Sequence, residues 1–160
     1  MSEPFSALDG GCICGHVRYQ LIDRPMFVHC CHCHWCQRET GSGFAINALI
    51  ESDRLQLLQG TTHVVACPSE SGAGQMIVRC PQCMVALWSH YGAAREKVSF
   101  LRVGTLDEPN RCSPDIHIYV TSKQSWFVLP DGVPAVPAYY QRSKYWPPES
   151  VERYRAVMAQ

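Results

Sequence analysis

The ten cysteines of this 160-residue chain constrain it more than any other feature, because thiols at this density must be bridged, buried or bound to metal. Eight of them fall into three groups, which are Cys12 and Cys14, then Cys30, Cys31, Cys33 and Cys36, then Cys80 and Cys83. The N-terminal segment 1–11 carries an acid and a proline where an export signal needs a basic start and an apolar run, so we expect a cytoplasmic protein. Cytosolic cysteines stay reduced, which makes metal ligation the leading explanation. The two single cysteines, Cys67 and Cys112, have no predicted role.

The spacing of two cysteine pairs indicates zinc. A C-x-x-C turn holds two sulfurs about 3.5 to 4 Å apart, as a tetrahedral zinc site with bonds of about 2.3 Å requires. Two ligand schemes remain open on spacing alone. The first is a single ribbon of Cys33, Cys36, Cys80 and Cys83. The second is a closed site of Cys12, Cys14, Cys80 and Cys83 with a second metal on Cys31, Cys33 and Cys36.

Short apolar or alternating runs, separated by Gly, Pro, Ser and Asp, predict a mainly β chain of small antiparallel sheets. These runs are 16–22, 43–50, 55–60, 63–67, 75–80, 85–92, 98–104, 116–120 and 125–130. Helix is expected only in short pieces, just after Cys33 and in 150–160, where Ser150 could be the N-cap. The proline-rich segment 133–148 is expected to lie across the surface.

The length and the net charge of the chain limit the number of domains and the kinds of partner it can have. The size is that of one domain, so we expect residues 1–160 to form a single domain. Lys and Arg total 14 and Asp and Glu total 14, which leaves no net charge to attract nucleic acid. No apolar run reaches the roughly 18 residues of a membrane span. We therefore expect small-molecule partners, with no nucleic acid and no membrane, and the sequence leaves the oligomeric state open.

Five stretches of the chain, taken in order, resemble one known family. They are GGCICGHVRY (10–19), CHCHWCQRETGSGFA (31–45), CPQC (80–83), VGTLDEP (103–109) and PDIHIYVTSKQSWFVLPDGVP (114–134). The family is that of the glutathione-dependent formaldehyde-activating enzymes, which also includes centromere protein V. The resemblance covers about residues 8–134 and leaves 135–160 as a C-terminal extension. It implies a β-tent fold of several small coiled antiparallel sheets around a structural zinc.

The same resemblance implies how the cysteines are shared between metals. A structural zinc would be bound by the outer cysteines, Cys12, Cys14, Cys80 and Cys83. A catalytic zinc would be bound by the middle three, Cys31, Cys33 and Cys36, which makes two zinc ions per chain. Three positions depart from the family pattern. They are Met84, where glycine is usual, Arg79, where an aromatic residue is usual, and Gln37, where many members have arginine.

An open metal site would be a site for chemistry. Four thiolates close a zinc site, whereas three leave a fourth position for a substrate, and a soft thiolate suits that position. Together with the resemblance, this predicts a carbon–sulfur lyase in which the sulfur of glutathione adds to formaldehyde or a related aldehyde to give S-hydroxymethyl glutathione, or the reverse. Two alternatives stay open: closure of the second zinc by Cys30, His32 or His34, and a non-catalytic, zinc-stabilised binding module.

The residues expected to bind the substrate lie just after the middle cysteines and in the 114–134 stretch. They are Arg38, Gly41, Ser42, Gly43, Lys123 and Trp126. The backbone amides of the glycine-rich turn and the guanidinium of Arg38 could bind the carboxylates of glutathione. Trp126 could wall the pocket and Lys123 could supply a second cation. His117 could support the metal ligands from outside.

Overall fold

The computed structural model describes residues 4–160, in which the chain forms ten β-strands and three short α-helices. Residues 1–3, which belong to the expected 1–160 domain and to the N-terminal segment 1–11, lie outside the described residues. The strands are β1 (Leu8–Gly11), β2 (Arg18–Leu21), β3 (Phe27–Cys31), β4 (Ala45–Glu51), β5 (Leu55–Gln59), β6 (His63–Cys67), β7 (Gln75–Arg79), β8 (Ala86–Tyr91), β9 (Val98–Arg102) and β10 (Ile116–Ile118). The helices are α1 (His34–Thr40), α2 (Arg142–Tyr145) and α3 (Pro148–Met158). The prediction of a mainly β chain with few short helices is confirmed.

The strands form two sheets. The smaller has the order β1-β2-β5 and the larger has the order β10-β3-β4-β9-β8-β7-β6. Neighbouring strands are antiparallel except β3 and β10, which run parallel with Ile116 opposite His29 and Ile118 opposite Cys31. The larger sheet extends to seven strands because β4 and β9 are buried on both faces and each pairs with two neighbours.

The two faces of the larger sheet belong to different hydrophobic clusters. Successive residues of β4 alternate between them, since Ala48 and Ile50 pack in one cluster and Leu49 packs in the other. The first cluster includes Tyr19 and Leu21 of the smaller sheet. The second includes side chains of the C-terminal segment 133–160. The large sheet is therefore covered by the small sheet on one side and by the C-terminal segment on the other.

Three expectations about local structure are wrong. Residues 125–130 form no strand, because Tyr119 adopts a left-handed conformation (φ 54°) directly after β10 and the chain turns away from the sheet. The segment 133–148 is not confined to the surface, since it contributes the buried Tyr140 and Trp146. Ser150 is not the N-cap of the last helix. That helix begins at Pro148, whose fixed φ suits a first helical position, so Ser150 lies inside the first turn.

The C-terminal segment is fastened to the large sheet by aromatic packing and by one ion pair. The ring of Phe27 on β3 lies 5.4 Å from that of Tyr140 and 5.5 Å from that of Trp146, measured between centroids. On α3, Arg153 binds the buried carboxylate of Glu51 at the end of β4 through two hydrogen bonds of 2.8 and 2.6 Å. Such bidentate pairing fixes both distance and orientation, so it sets where α3 lies on the sheet.

Among the described residues, no helix combines the length and the apolar character that crossing a bilayer requires.

Replacing Arg153 tests how far its ion pair with Glu51 stabilises the fold. We expect Arg153→Ala to lower the free energy of unfolding by about 3 kcal/mol, because the buried Glu51 carboxylate would keep only the Nε of Arg54, at 3.6 Å. Arg155→Ala, an exposed position on the same helix, should cost less than about 1 kcal/mol. Urea unfolding of the metal-loaded protein measures both values. If both variants lost the same small amount of unfolding free energy, the ion pair of Arg153 with Glu51 would not stabilise the fold as described.

Candidate metal centres

The outer four cysteines come together from two distant turns. Cys12 and Cys14 lie in the turn between β1 and β2, and Cys80 and Cys83 lie in the turn between β7 and β8. Their four sulfurs lie within 4.8 Å of one another. The Sγ of Cys14 lies 3.5 Å from that of Cys12 and 3.7 Å from that of Cys80. These spacings match the roughly 3.8 Å edge of a tetrahedron with zinc–sulfur bonds of about 2.3 Å.

Backbone amides around these sulfurs favour the thiolate form. The N–H of Val17 donates to the Sγ of Cys12 at 3.2 Å, and the N–H of Gln82 donates to the Sγ of Cys80 at 3.4 Å. The pKa of Cys83 is lowered to about 6. The backbone N–H of Val85 is the largest cause, and weaker hydrogen bonds from neighbouring cysteines act in the same direction. Because metal ligation needs deprotonated sulfur, the donor set and its surroundings suit a closed four-thiolate site.

Two of the departures from the family pattern have a structural explanation here. Met84 adopts φ 63°, the left-handed region in which glycine is favoured, so the chain keeps the turn conformation at a steric cost of about 1 kcal/mol. Arg79 donates to the backbone carbonyl of Met84 at 3.0 Å and forms an ion pair with Glu39 of α1. Arg79 thus joins the outer cysteine turn to the helix that carries Cys36.

The middle three cysteines are brought together where β3 ends and α1 begins. Cys31 is the last residue of β3, Cys33 is the N-cap of α1, and Cys36 lies in its first turn. All three are buried and their sulfurs lie within 4.8 Å of one another. The Sγ of Cys33 accepts a hydrogen bond from the backbone N–H of Cys36 at 3.3 Å. The thiols of Cys31 and then Cys36 also donate to it, which lowers the pKa of Cys33 to about 3.

A buried cation near these thiols is consistent with a negatively charged group at this place. Arg102 on β9 is only 6% exposed, and one of its nitrogens donates to the side-chain oxygen of Asn47 at 2.7 Å. Its Nε and Nη2 have no hydrogen-bond partner, and among residues 4–160 no carboxylate oxygen lies within 4.0 Å of it. A buried guanidinium needs a compensating charge. A divalent metal on three thiolates carries a formal charge of minus one and would supply it.

Arg102 lies close to the middle cysteines, because residues that line their cavity also interact with Arg102. Asn47, its hydrogen-bond partner, lines the same cavity as Cys31, Cys33 and Cys36. His29 lines that cavity too, and its pKa is lowered to about 3 by burial first and then by the charge of Arg102. His29 is therefore neutral at physiological pH, and Arg102 lies close enough to act on the cysteine site.

The three sulfurs open into a cavity of about 420 Å³. Its walls come from the 69–75 loop, from the connection between β8 and β9, and from the C-terminal segment. Within the described residues, no fourth Cys, His, Asp or Glu belongs to the three-cysteine group. The described part of the chain therefore offers three donors at this place, and the fourth side faces the cavity.

A third group consists of Cys30, His32 and His117, all buried and with ligand atoms within 4.8 Å of one another. The parallel pairing of β10 with β3 places His117 opposite Cys30. The Nε2 of His32 and the Nδ1 of His117 share a hydrogen bond of 2.9 Å, and the Sγ of Cys30 lies 3.6 Å from the same Nε2. The Nδ1 of His32 is buried and has no hydrogen-bond partner among the described residues. None of these residues belongs to the three-cysteine group, and His34 is exposed on α1.

Most of the residues predicted to bind substrate lie in a different place. A separate shallow cleft is lined by Arg38, Gly41, Ser42, Gly43 and Trp126, together with Gln37, Phe44 and Gln124, and by none of the three cysteines. Cys36 lies on the buried face of α1, whereas Arg38 and the turn at Gly41, which ends the helix at φ 65°, lie on its exposed side. The structure therefore does not bring these residues into the cavity of the middle cysteines, and their role in binding stays a prediction.

Lys123, the last of the residues expected to bind substrate, and Gln37, the third departure from the family pattern, have structural contacts of their own. The Nζ of Lys123 donates to the backbone carbonyls of Gln124 at 3.1 Å and Phe127 at 2.6 Å. Gln37, at the position where many family members have arginine, donates to the carbonyls of His32 at 2.8 Å and Ser122 at 2.9 Å. These bonds fasten α1 to the chain that follows β10, so Gln37 helps to hold the three-cysteine turn in place.

Comparison with known proteins identifies the family of this chain. Residues 7–122 match the family model described as "Glutathione-dependent formaldehyde-activating enzyme", and the chain belongs to that family. It is similar to a protein from Halomonas elongata named "Putative glutathione-dependent formaldehyde-activating enzyme", with 26% identity over 125 residues that cover 74% of this chain and 78% of the relative. A crystal structure of a Rhodobacter sphaeroides protein aligns with a TM-score of 0.46 and 19% identity, over 62% of this chain and 87% of that one.

The two cysteine groups differ in what they connect, and this predicts different effects of substitution. Metal on the outer group cross-links two turns far apart in the chain, whereas metal on the middle group clamps one local turn. In metal-loaded protein we expect Cys80→Ser to unfold or precipitate the chain. Cys33→Ser should retain most of the fold, because serine is a good N-cap for α1.

Thermal unfolding followed by circular dichroism measures these effects. Cys67→Ser, at a partly exposed position on β6 outside the three groups, is the matched control and should behave as the wild type. An equal loss of stability in Cys80→Ser and Cys33→Ser would mean that both groups are structural.

Proposed function

We propose that this protein is a zinc-dependent enzyme of the carbon–sulfur lyase type that forms or cleaves the S-hydroxymethyl adduct of glutathione with formaldehyde or a related aldehyde. The observation that carries the proposal is the group of three buried thiols, which has no fourth donor among residues 4–160 and opens into a cavity. Membership of the family, whose name refers to glutathione and formaldehyde, supports the choice of substrates. In this proposal the two small molecules are the partners, and nucleic acid and membranes are not.

The proposal assigns two zinc ions to each chain. One would be structural, held by Cys12, Cys14, Cys80 and Cys83. The other would be catalytic, held by Cys31, Cys33 and Cys36. The catalytic zinc, when bound, would supply a Lewis acid that favours the thiolate form of a thiol substrate. Arg102 would balance the negative charge of the three thiolates from behind.

The remaining steps depend on the walls of the cavity. Burial is the main cause of the raised pKa of Tyr91 and of Tyr119, so both phenols keep their protons at neutral pH and can donate a hydrogen bond to an aldehyde oxygen. In the forward direction a bond forms between the glutathione sulfur and the carbonyl carbon, and the thiol proton ends on the carbonyl oxygen. The reverse breaks the carbon–sulfur bond and returns the proton to sulfur. No oxidant or reductant is needed.

We further propose that residues 1–160 form one domain that works in the cytoplasm. The C-terminal segment packs in the same hydrophobic cluster as the middle cysteines, which supports a single unit. All ten cysteines are free, as a reducing compartment would keep them.

Metal content provides the first test. Elemental analysis of protein purified without added metal should give two zinc ions per chain, and Cys33→Ser should give one. Cys67→Ser, outside the three groups, should keep two. A wild-type ratio near one would contradict the two-site proposal, and a ratio near three would add a metal at Cys30, His32 and His117.

The activity provides the second test. Exchange spectroscopy by NMR should show that the protein accelerates both the formation and the breakdown of the glutathione–formaldehyde adduct above the uncatalysed rate, since a catalyst leaves the equilibrium unchanged. We expect Cys33→Ser to lower the catalysed rate by at least about 100-fold, because loss of a metal ligand costs more than loss of a residue that supports one. A wild-type rate equal to the uncatalysed rate, with two zinc ions bound, would leave a non-catalytic binding module as the better description.

A further inference from the structure

The C-terminal segment, which lies beyond residues 7–122 of the family match, forms part of the cavity beside the middle cysteines. Its side chains in the wall are Tyr139, Arg142 and Tyr154. Tyr139 precedes α2, Arg142 is the first residue of α2, and Tyr154 lies on α3. The segment is held on the large sheet by Trp146 and Arg153, so this wall has a fixed position. Residues outside the shared family region therefore shape the space next to the three thiols.

The guanidinium of Arg142 has no partner for its charge. Its central carbon lies 4.1 Å from the ring centroid of Tyr154, so one face of the group is packed on an aromatic ring. Its Nε is buried and has no hydrogen-bond partner. Within residues 4–160, no carboxylate oxygen approaches the group within 4.0 Å. Arg142 thus presents oriented N–H donors at the cavity, and a carboxylate is the ligand that such a planar group binds best.

A complementary acceptor lies in the same cavity. Gln75, at the start of β7, is only 7% exposed, and its side-chain Nε2 donates to the carbonyl of Pro68 at 3.1 Å. This bond orients the amide, and the Oε1 is left buried without a partner. A buried acceptor without a partner costs about 1 to 3 kcal/mol, and an N–H group of a ligand would remove that cost.

We propose that Arg142 and Gln75 form a recognition subsite for a thiol that carries both a carboxylate and an N–H donor. The Arg142 guanidinium binds the carboxylate, and the Oε1 of Gln75 accepts from an amide or ammonium group. The cavity then selects small cysteine-containing peptides, glutathione among them, over neutral thiols. This inference rests on the proposed function in that it takes the three-cysteine cavity as the place where a thiol binds. It assigns the selectivity to the C-terminal segment and the 69–75 loop rather than to Arg38 and the glycine-rich turn.

Binding measurements on the full-length, zinc-loaded protein test this inference without any aldehyde. Isothermal titration calorimetry would compare glutathione with 2-mercaptoethanol, a thiol that lacks both recognition groups. The variants are Arg142→Met, which keeps an aliphatic side chain over Tyr154, and Gln75→Leu. The matched control is Arg155→Ala, at an exposed position on α3, and Arg38→Ala tests the separate cleft as the rival carboxylate site. Thermal unfolding of each variant verifies that the fold is retained, and Arg142→Lys distinguishes the planar guanidinium from a simple positive charge.

We expect Arg142→Met to weaken glutathione binding by about 10- to 100-fold, the usual range for loss of a charged hydrogen bond, and to leave 2-mercaptoethanol within about twofold of its wild-type affinity. Gln75→Leu should weaken glutathione by about tenfold. Arg142→Lys should recover only part of the lost affinity, because the ammonium lacks the planar fork. Arg155→Ala should have no effect, and Arg38→Ala should weaken glutathione binding less than Arg142→Met does.

Three results would overturn the inference. An equal loss for both thiols in Arg142→Met would mean that the residue only packs the wall. A loss in Arg38→Ala with none in Arg142→Met would place the carboxylate in the separate cleft. Absence of glutathione binding by the wild type would remove the subsite altogether. By contrast, glutathione binding that depends on Arg142 in a protein without exchange activity would support the subsite and contradict the proposed lyase. Unchanged glutathione binding by Arg142→Met in an active enzyme would contradict the subsite and support the proposed lyase.

Discussion

The backbone turn at Cys33 is the feature on which the rest of the site depends. Cys33 ends the extended chain after β3 and caps α1, and the hydrogen bond from the backbone N–H of Cys36 to its sulfur fixes the first helical turn. Because Cys31 is the last residue of the strand, the strand end and the helix start bring three sulfurs to one point. A shift of one residue in β3 would turn Cys31 to the opposite face, where Cys30 now lies beside His32. The strand register and the helix cap together therefore determine the metal group.

Charge balance then connects this turn to the core of the large sheet. Arg102 is buried on β9 with two unpartnered nitrogens, an arrangement that would be costly without a nearby negative charge. Three thiolates with a divalent metal would provide that charge, and Asn47 joins Arg102 to the wall of the cavity. On the other side of α1, the ion pair of Glu39 with Arg79 links the helix to the turn of the outer cysteines. The two cysteine groups pack in different hydrophobic clusters, yet they are connected through this one helix.

The sequence predicts the parts of this structure that depend on local pattern. The C-x-x-C spacings identify Cys33 with Cys36 and Cys80 with Cys83 before any coordinates are known, and the short apolar runs indicate a β-rich chain. The pairing of Cys12 and Cys14 with Cys80 and Cys83 came from the family resemblance, since spacing alone also allowed a single ribbon. Alternation along β3 gives Cys30 and Cys31 opposite directions, and the two belong to different groups.

The walls of the cavity could not be predicted in the same way, because they depend on tertiary packing. Arg38 follows Cys36 closely in the sequence, yet it faces a separate cleft because it lies on the exposed side of α1. Arg142 is more than a hundred residues away and reaches the cavity only because Tyr140 and Trp146 pack on Phe27. The aromatic residues of the 139–146 stretch were the available signal that this proline-rich segment is buried. The parallel pairing of β10 with β3 had no local signature either, and it places His117 beside His32.

The central claim is that the middle cysteines hold a zinc whose fourth side is open to a thiol from the cavity. X-ray absorption at the zinc edge counts the sulfur neighbours of the metal and tests this most directly. In the wild type we predict that the average number of sulfur neighbours rises when glutathione is added, and that it stays unchanged in Cys33→Ser, where only the closed outer site remains intact. A sulfur count in the wild type that glutathione does not alter, at concentrations that saturate binding, would contradict the account.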